Sequence, residues 1–289
     1  MPRLAEIQSH VASMMELREV VGAMRSLAGM RVQEAERTLP AVRRYADGMS
    51  GAIAAAVNMI PAAMTAARGS SGRRAILLCM AEHGFVGGFN EHLIAAAQSG
   101  LGPQDQLFVL GTRGAAVAAE RGVRISWTEP MATRPANVPD TIRRLSAELY
   151  DRIAHGEIAR IEAVYSFYRP GRPTSVERRT VVPIDLESFA THGPRRSEPL
   201  RNLPPAQLLE RLTAEYVFAL LTEVAVESLA SENAARFSSM EAAHENVSKK
   251  LEDLRQTANR ARQAEITTEL LDVVTGAEAL ESGQQPLRG

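Results

Sequence analysis

The residues able to do chemistry fall into a few short groups. The first is "GFVGGFN", with Gly84, Gly87 and Gly88. Its spacing fits neither the G-x-G-x-x-G nor the G-x-x-x-x-G-K-S/T phosphate-binding pattern, so it reads as a tight turn from strand to helix, capped by Asn90. The second is Glu82, His83, Glu91 and His92, close enough in sequence to consider as metal ligands. They do not form an H-E-x-x-H pair and read as solvated surface. His155 and His192 sit in polar turns. The third group is Arg260, Arg262, Gln263, Glu265, Thr267, Thr268, Glu269 and Asp272, crowded into one polar stretch near the C-terminal end. No nucleophile stands paired with a base, so no catalytic residue, metal or cofactor is expected. Spacing alone makes the polar stretch a solvated helical face, although arginine and glutamine there also suit contact with a surrounding partner.

The chain behind these groups has 289 residues, enough for two domains or for one domain with a long appendage. Hydrophobic residues make up 45% and aromatics only 4%, which favours alanine-rich helix packing. The net charge of −1 argues against a nucleic-acid partner. The single cysteine, Cys79, lies in the apolar run "AILLCM" and reads as an inert buried thiol. No basic leader with an apolar core opens the chain, and no run approaches the roughly 20 apolar residues that cross a bilayer. A soluble protein able to dock on a membrane complex is expected.

Hydrophobic period divides the chain. Leu4, Ile7, Val11 and Met14 keep a coiled-coil rhythm, which then slips to Leu17, Val21, Met24 and Ala28. A step of three where four is due predicts local overwinding. In the middle, apolar runs alternate with helical patterns. "VPDTIRRLSAELYDRIAHG" is one such helix, with Asp140 a candidate N-cap. "IARIEAVYSFYRP" and "SVERRTVVPID" read as a hairpin, so a small mixed sheet is expected.

From Ala206 to Thr275 there is neither glycine nor proline. Phe237, Met240, His244, Val247, Leu251, Leu254, Ala258 and Ala261 follow alternating steps of three and four, a heptad seam. A helix of that length would run ~105 Å, too long for a domain of this size to contain. The N-terminal segment is its natural partner. The expected fold is α/β plus coiled coil. Its N- and C-terminal long helices form an antiparallel coiled coil, with a small Rossmann-like α/β domain inserted between them.

At the tip of the last helix the chain resembles the gamma subunit of F-type ATP synthases. The family's C-terminal signature is filled by Ile266, Thr267, Glu269, Asp272, Gly276, Ala277 and Ala279. "SENAARFSSMEAAHENV" and "NRARQAEIT" resemble its long C-terminal helix, "IQSHVASMMELREVVGAMRSLAGMRVQEA" its N-terminal one, and "GFVGGFNEHLI" its glycine-rich turn. The resemblance implies a shaft of two helices inside a ring of three alpha and three beta subunits. It also implies a foot that joins the epsilon subunit and the membrane c ring, and a subunit that carries torque without bond chemistry of its own. Arg262 and Gln263 match a contact with a beta-subunit loop, Met24 a position facing the lower lever of beta, and Glu198 with Pro199 a loop that meets the c ring. Arg196 and Ser197 stand where the family usually has aromatics. The paired-cysteine insertion of chloroplast-type relatives is absent.

On this basis residues 1–66 are expected as the N-terminal shaft helix, 67–190 as the foot domain, 191–205 as a linker loop, 206–280 as the C-terminal shaft helix and 281–289 as a disordered tail. The location implied is the cytoplasmic face of a bacterial inner membrane, as a peripheral subunit. The competing readings are a coiled-coil adaptor without rotary partners and a dinucleotide-dependent enzyme built on the Gly84 turn.

Overall fold

The computed structural model describes residues 4–60, 72–169, 174–189 and 202–282, with side chains as far as residue 277. The chain divides into two compact units. One joins the residues up to Arg25 with those from Met240 onward; the other is Ser26–Ser239. Two helices run through both: α1, Leu4–Val57, and α5, Pro205–Ser282.

In the Ser26–Ser239 unit, β1 (Arg73–Cys79), β2 (Gln106–Leu110), β3 (Trp127–Glu129), β4 (Ile158–Phe167) and β5 (Ser175–Val182) form one sheet in the order β3-β2-β1-β4-β5. The first four strands are parallel. β5 returns antiparallel on β4, the mixed sheet that the hairpin pattern predicts. Because successive strand residues face opposite sides, β1 feeds two cores. Ile76 and Leu78 pack with Leu93 and Ile94 of α2 (Phe89–Gln98) and Val117 of α3 (Thr112–Glu120). Ala75, Leu77 and Cys79 pack with Ile142, Leu145 and Leu149 of α4 (Val138–Ala154) and with Leu221, Val224 and Ala225 of α5. A smaller cluster joins Ile53 and Val57 of α1 to Phe189 and Leu209.

Two expected caps are replaced. Gly88 occupies the N-cap of α2. Asn90 is buried one step inside the helix, where its Oδ1 accepts the Ala81 N–H at 3.0 Å. Asn137 rather than Asp140 precedes α4, with proline in the first turn; Asp140 pairs with Arg143 at 2.5 Å. In both places a proline or glycine fixes the turn, and the polar side chain is free for other bonds.

Glu82 is half-buried and does more than face solvent. Its carboxylate accepts the Thr112 N–H, the Thr112 hydroxyl and the Met131 N–H, so it ties together the loops that follow three strands. Among the described residues no group of three His, Cys, Asp or Glu side chains is placed to hold a metal ion.

The carboxyl ends of parallel strands are where open α/β sheets ordinarily bind ligands. Here α5 lies across them. Ser228 Oγ donates to the Cys79 carbonyl at 2.6 Å, and Ser231 Oγ to the Ser166 carbonyl at 2.8 Å. Arg236 donates to the carbonyls of His83 and Gly84, and pairs with Glu232 at 2.6 Å. The glycine-rich turn, with φ of 63° at Phe85 and 54° at Gly87, is thus a docking surface for a helix.

Candidate functional site: the bare end of the C-terminal helix

The unit built from the chain's two ends is an antiparallel helix pair. Arg25 pairs with Glu241 at 2.9 Å, the ring of His244 lies against Gly22, and Arg255 reaches Met15 Sδ at 3.8 Å. As numbers rise along α1 they fall along α5. Met240, His244, Val247, Leu251, Leu254, Ala258 and Ala261 are all buried or half-buried, in line with the heptad reading, whereas Phe237, which opens the predicted seam, is 40% exposed.

On α1 the seam departs from its sequence reading. Ile7, Val11, Met14, Arg18 and Val21 are the less exposed positions, and Leu17 is 44% exposed. The steps run four, three, four, three without interruption, so no overwinding slip occurs. The sequence pattern misses this because an arginine stands in the seam. Arg18 is half-buried there, as an arginine can be when its apolar stem lies along a surface and its charged head stays in water. Leu17 and Val20 are turned outward, on the same side of α1 as Met24, which is half-buried.

On the register of these pairs, Leu4 comes level with Arg262. Beyond that level no part of α1 among the described residues lies beside α5, and every residue from Arg262 to Ala277 is exposed. Arg262, Gln263 and the signature residues Ile266, Thr267, Glu269, Asp272, Gly276 and Ala277 all lie on this stretch. Met24 lies on the other helix, and Glu198 falls outside the described residues.

The bare stretch has its own pattern. Carrying the seam forward reaches Glu265, Thr268 and Asp272, which are polar. A new apolar stripe of Ile266, Leu270, Val273, Val274 and Ala277 opens instead, roughly 130° round the helix at 100° per residue. Val273 is 70% exposed, Leu271 61% and Leu270 60%. The hydroxyls of Thr267 and Thr268 donate back to the carbonyls of Gln263 and Ala264, at 2.8 and 2.9 Å. The side chains of Arg262, Gln263, Glu265, Glu269 and Asp272 have no hydrogen bond or ion pair among the described residues. An apolar stripe, an acidic face, and amide and guanidinium heads unpaired among the described residues therefore share one stretch of helix.

Two end helices that pair with each other across an inserted α/β domain form the gamma-subunit fold of rotary ATP synthases. Residues 3–280 match the family described as ATP synthase, and the chain belongs to that family. It is similar to the ATP synthase gamma chain of Chlorobium luteolum, at 27% identity covering 98% of this chain and 100% of that protein. It is also similar to that of Paracoccus denitrificans, at 28% identity covering 97% and 100%. Among solved structures, the fold is shared with a chain of the Euglena gracilis mitochondrial ATP synthase OSCP/F1/c-ring assembly, with a TM-score of 0.63 and 14% identity over 99% of this chain and 97% of that one. A chain of the Tetrahymena thermophila central stalk and c ring gives a TM-score of 0.56 at 14% identity, over 78% and 99%.

Proposed function

We propose that this chain is the rotating central-stalk subunit of an ATP synthase, coupling ion flow through the membrane c ring to ATP synthesis or hydrolysis at sites on the beta subunits. The observation that carries the reading is the helix end from Arg262 to Ala277. Its Ile266, Leu270, Leu271, Val273 and Val274 leave about half or more of their surface in water, where full burial of such a side chain is worth roughly 1.5–3 kcal/mol. A surrounding sleeve of partner subunits would bury them.

The chain itself breaks no bond in this reading. The alpha and beta subunits surround the helix pair. Arg262 and Gln263 hydrogen-bond a beta-subunit loop, and Met24, flanked by Leu17 and Val20, faces the lower lever of beta. The sheet domain meets the epsilon subunit and the c ring, with Glu198 at the ring. Because the surface is asymmetric, each orientation favours a closed state at a different beta site, and rotation moves that preference round the ring. The subunit is peripheral on the cytoplasmic face of a bacterial inner membrane. Among the described residues no helix is long and apolar enough to cross one.

The test is assembly with the alpha and beta subunits, followed by ATP-driven rotation and coupled turnover. The double variant Arg262→Ala/Gln263→Ala is expected to assemble and to lose coupled turnover. Normal coupled turnover in it would sink the contact assignment. A chain that functions without alpha and beta subunits would be an adaptor instead.

A further inference from the structure

Within the Ser26–Ser239 unit, α1, α5 and the edge strand β5 meet at one carboxylate. Glu223 of α5 is buried, and both of its oxygens are taken. Oε1 accepts from Arg43 Nε of α1 at 3.0 Å, and Oε2 accepts from Arg179 Nη1 of β5 at 2.7 Å. Arg43 turns its other face, through Nη2, to Oε1 of Glu227 at 2.5 Å, one helical turn further along α5. Two residues on, Tyr45 donates to Glu215 at 2.9 Å.

Stability alone does not account for this arrangement. Burying charged groups costs hydration that their pairing only partly returns, and well-packed apolar side chains hold elements together as well or better. What a forked ionic joint adds is direction: the planar guanidinium fits its two carboxylates in one orientation only. Such a joint is needed here. The apolar residues along this part of α1 are mostly small, with Ala28, Val32, Ala35 and Ala46 buried, and small side chains interlock weakly. Pro40 stands inside the helix and removes a ladder hydrogen bond one turn before Arg43.

We propose that Glu223, with Arg43 and Arg179, is the joint through which torque on the sheet domain passes to both long helices together. Glu227 and Tyr45 keep α1 from turning about its own axis beside α5. These are positioning residues that touch no substrate. The proposal rests on the rotor reading above and assigns its force path to particular atoms.

The experiment uses the whole membrane complex in sealed vesicles. ATP hydrolysis and ATP-driven ion pumping are measured while the opposing ion gradient is raised. Glu223→Gln and Arg43→Lys keep size but remove a charge or the fork. Both are expected to hydrolyse ATP normally and to pump normally against no gradient. Under a high gradient, uncoupled turnovers should rise about tenfold, the equivalent of losing one charge-assisted hydrogen bond. The triple variant Arg43→Met/Glu223→Met/Arg179→Met should melt no lower than the wild type and still slip under load. Pumping per ATP that is unaffected by load in all three variants overturns the proposal. So does a deficit equal at every gradient, which marks a merely structural role. If the wild-type chain neither assembles nor pumps, the rotor reading itself is what fails.

Discussion

The imidazole of His244 lies over the bare backbone of Gly22, so close that a Cβ built on Gly22 would stand 3.7 Å from His244 Cδ2. That is ordinary contact, so the glycine is not required for space. Gly22→Ala should therefore stabilise the helix pair by about 0.5–1 kcal/mol, the usual gain from removing glycine within a helix. Thermal unfolding followed by circular dichroism would read it as a rise in Tm. A fall would mean that the two helices sit closer than described.

Gly114 is the opposite case. A Cβ there would stand 2.2 Å from Met80 Cβ and 3.2 Å from Asn90 Oδ1, where α3 closes on the end of β1. The colliding atom belongs to the root of a side chain and cannot swing aside. Gly114→Ala is expected to cost about 1–3 kcal/mol or more, seen as a lower urea midpoint. An unchanged midpoint would contradict the packing.

The thiol of Cys79 is fully buried, and burial pushes it up to about 12. Thiol reagents at pH 8 should leave the native protein untouched and label it fully in denaturant. Rapid labelling of the native chain would show that the β1 end opens readily.

Glu227 carries a pH signature. Burial raises its carboxyl above the ordinary value and outweighs the hydrogen bond from Arg43, with neighbouring Glu223 adding to the rise. Arg43 itself is held charged by the same pair. There is no conflict, because Arg43 is nearly half exposed while the Glu227 side chain is 4% exposed and surrenders more hydration. A carboxyl raised by folding contributes stability fully below its unfolded value and loses it as pH rises through the folded value. Glu227→Gln should accordingly melt higher than the wild type near pH 8, with the gain gone near pH 4. A gain that grows on acidification would reverse the sign and refute this.

Much of this was legible in the residues. The seam from Met240 to Ala261 is a local period, and a period needs no knowledge of the fold. The same holds for the strands and for the β4–β5 hairpin. What stayed hidden depends on partners far away in sequence. Arg18 in the seam reads as a break until its half-buried place in the helix pair is known. Glu82 looks like surface until the loops after β2 and β3 arrive above it. Glu223 and Glu227 look like the solvated side of a helix, because Arg43 lies 180 positions from Glu223 and Arg179 on a strand. The tip was half legible: its signature carries the family resemblance, and only the register of the helix pair shows that no part of α1 among the described residues lies beside it.

The antiparallel pairing of the two ends also sets a timetable. The N-terminal helix is made first, and its seam partners, Met240 to Ala261, are made last. At about 5–20 residues per second, the stretch between them takes roughly 10–50 s to emerge. Throughout that interval Ile7, Val11, Met14 and Val21 have no native surface to meet, and one core of the sheet waits as well for Leu221, Val224 and Ala225 of α5. The newborn chain thus carries an unpaired apolar stripe for most of its synthesis, a natural target for a holding chaperone. Truncation anywhere before Leu251 would leave that stripe without much of its partner.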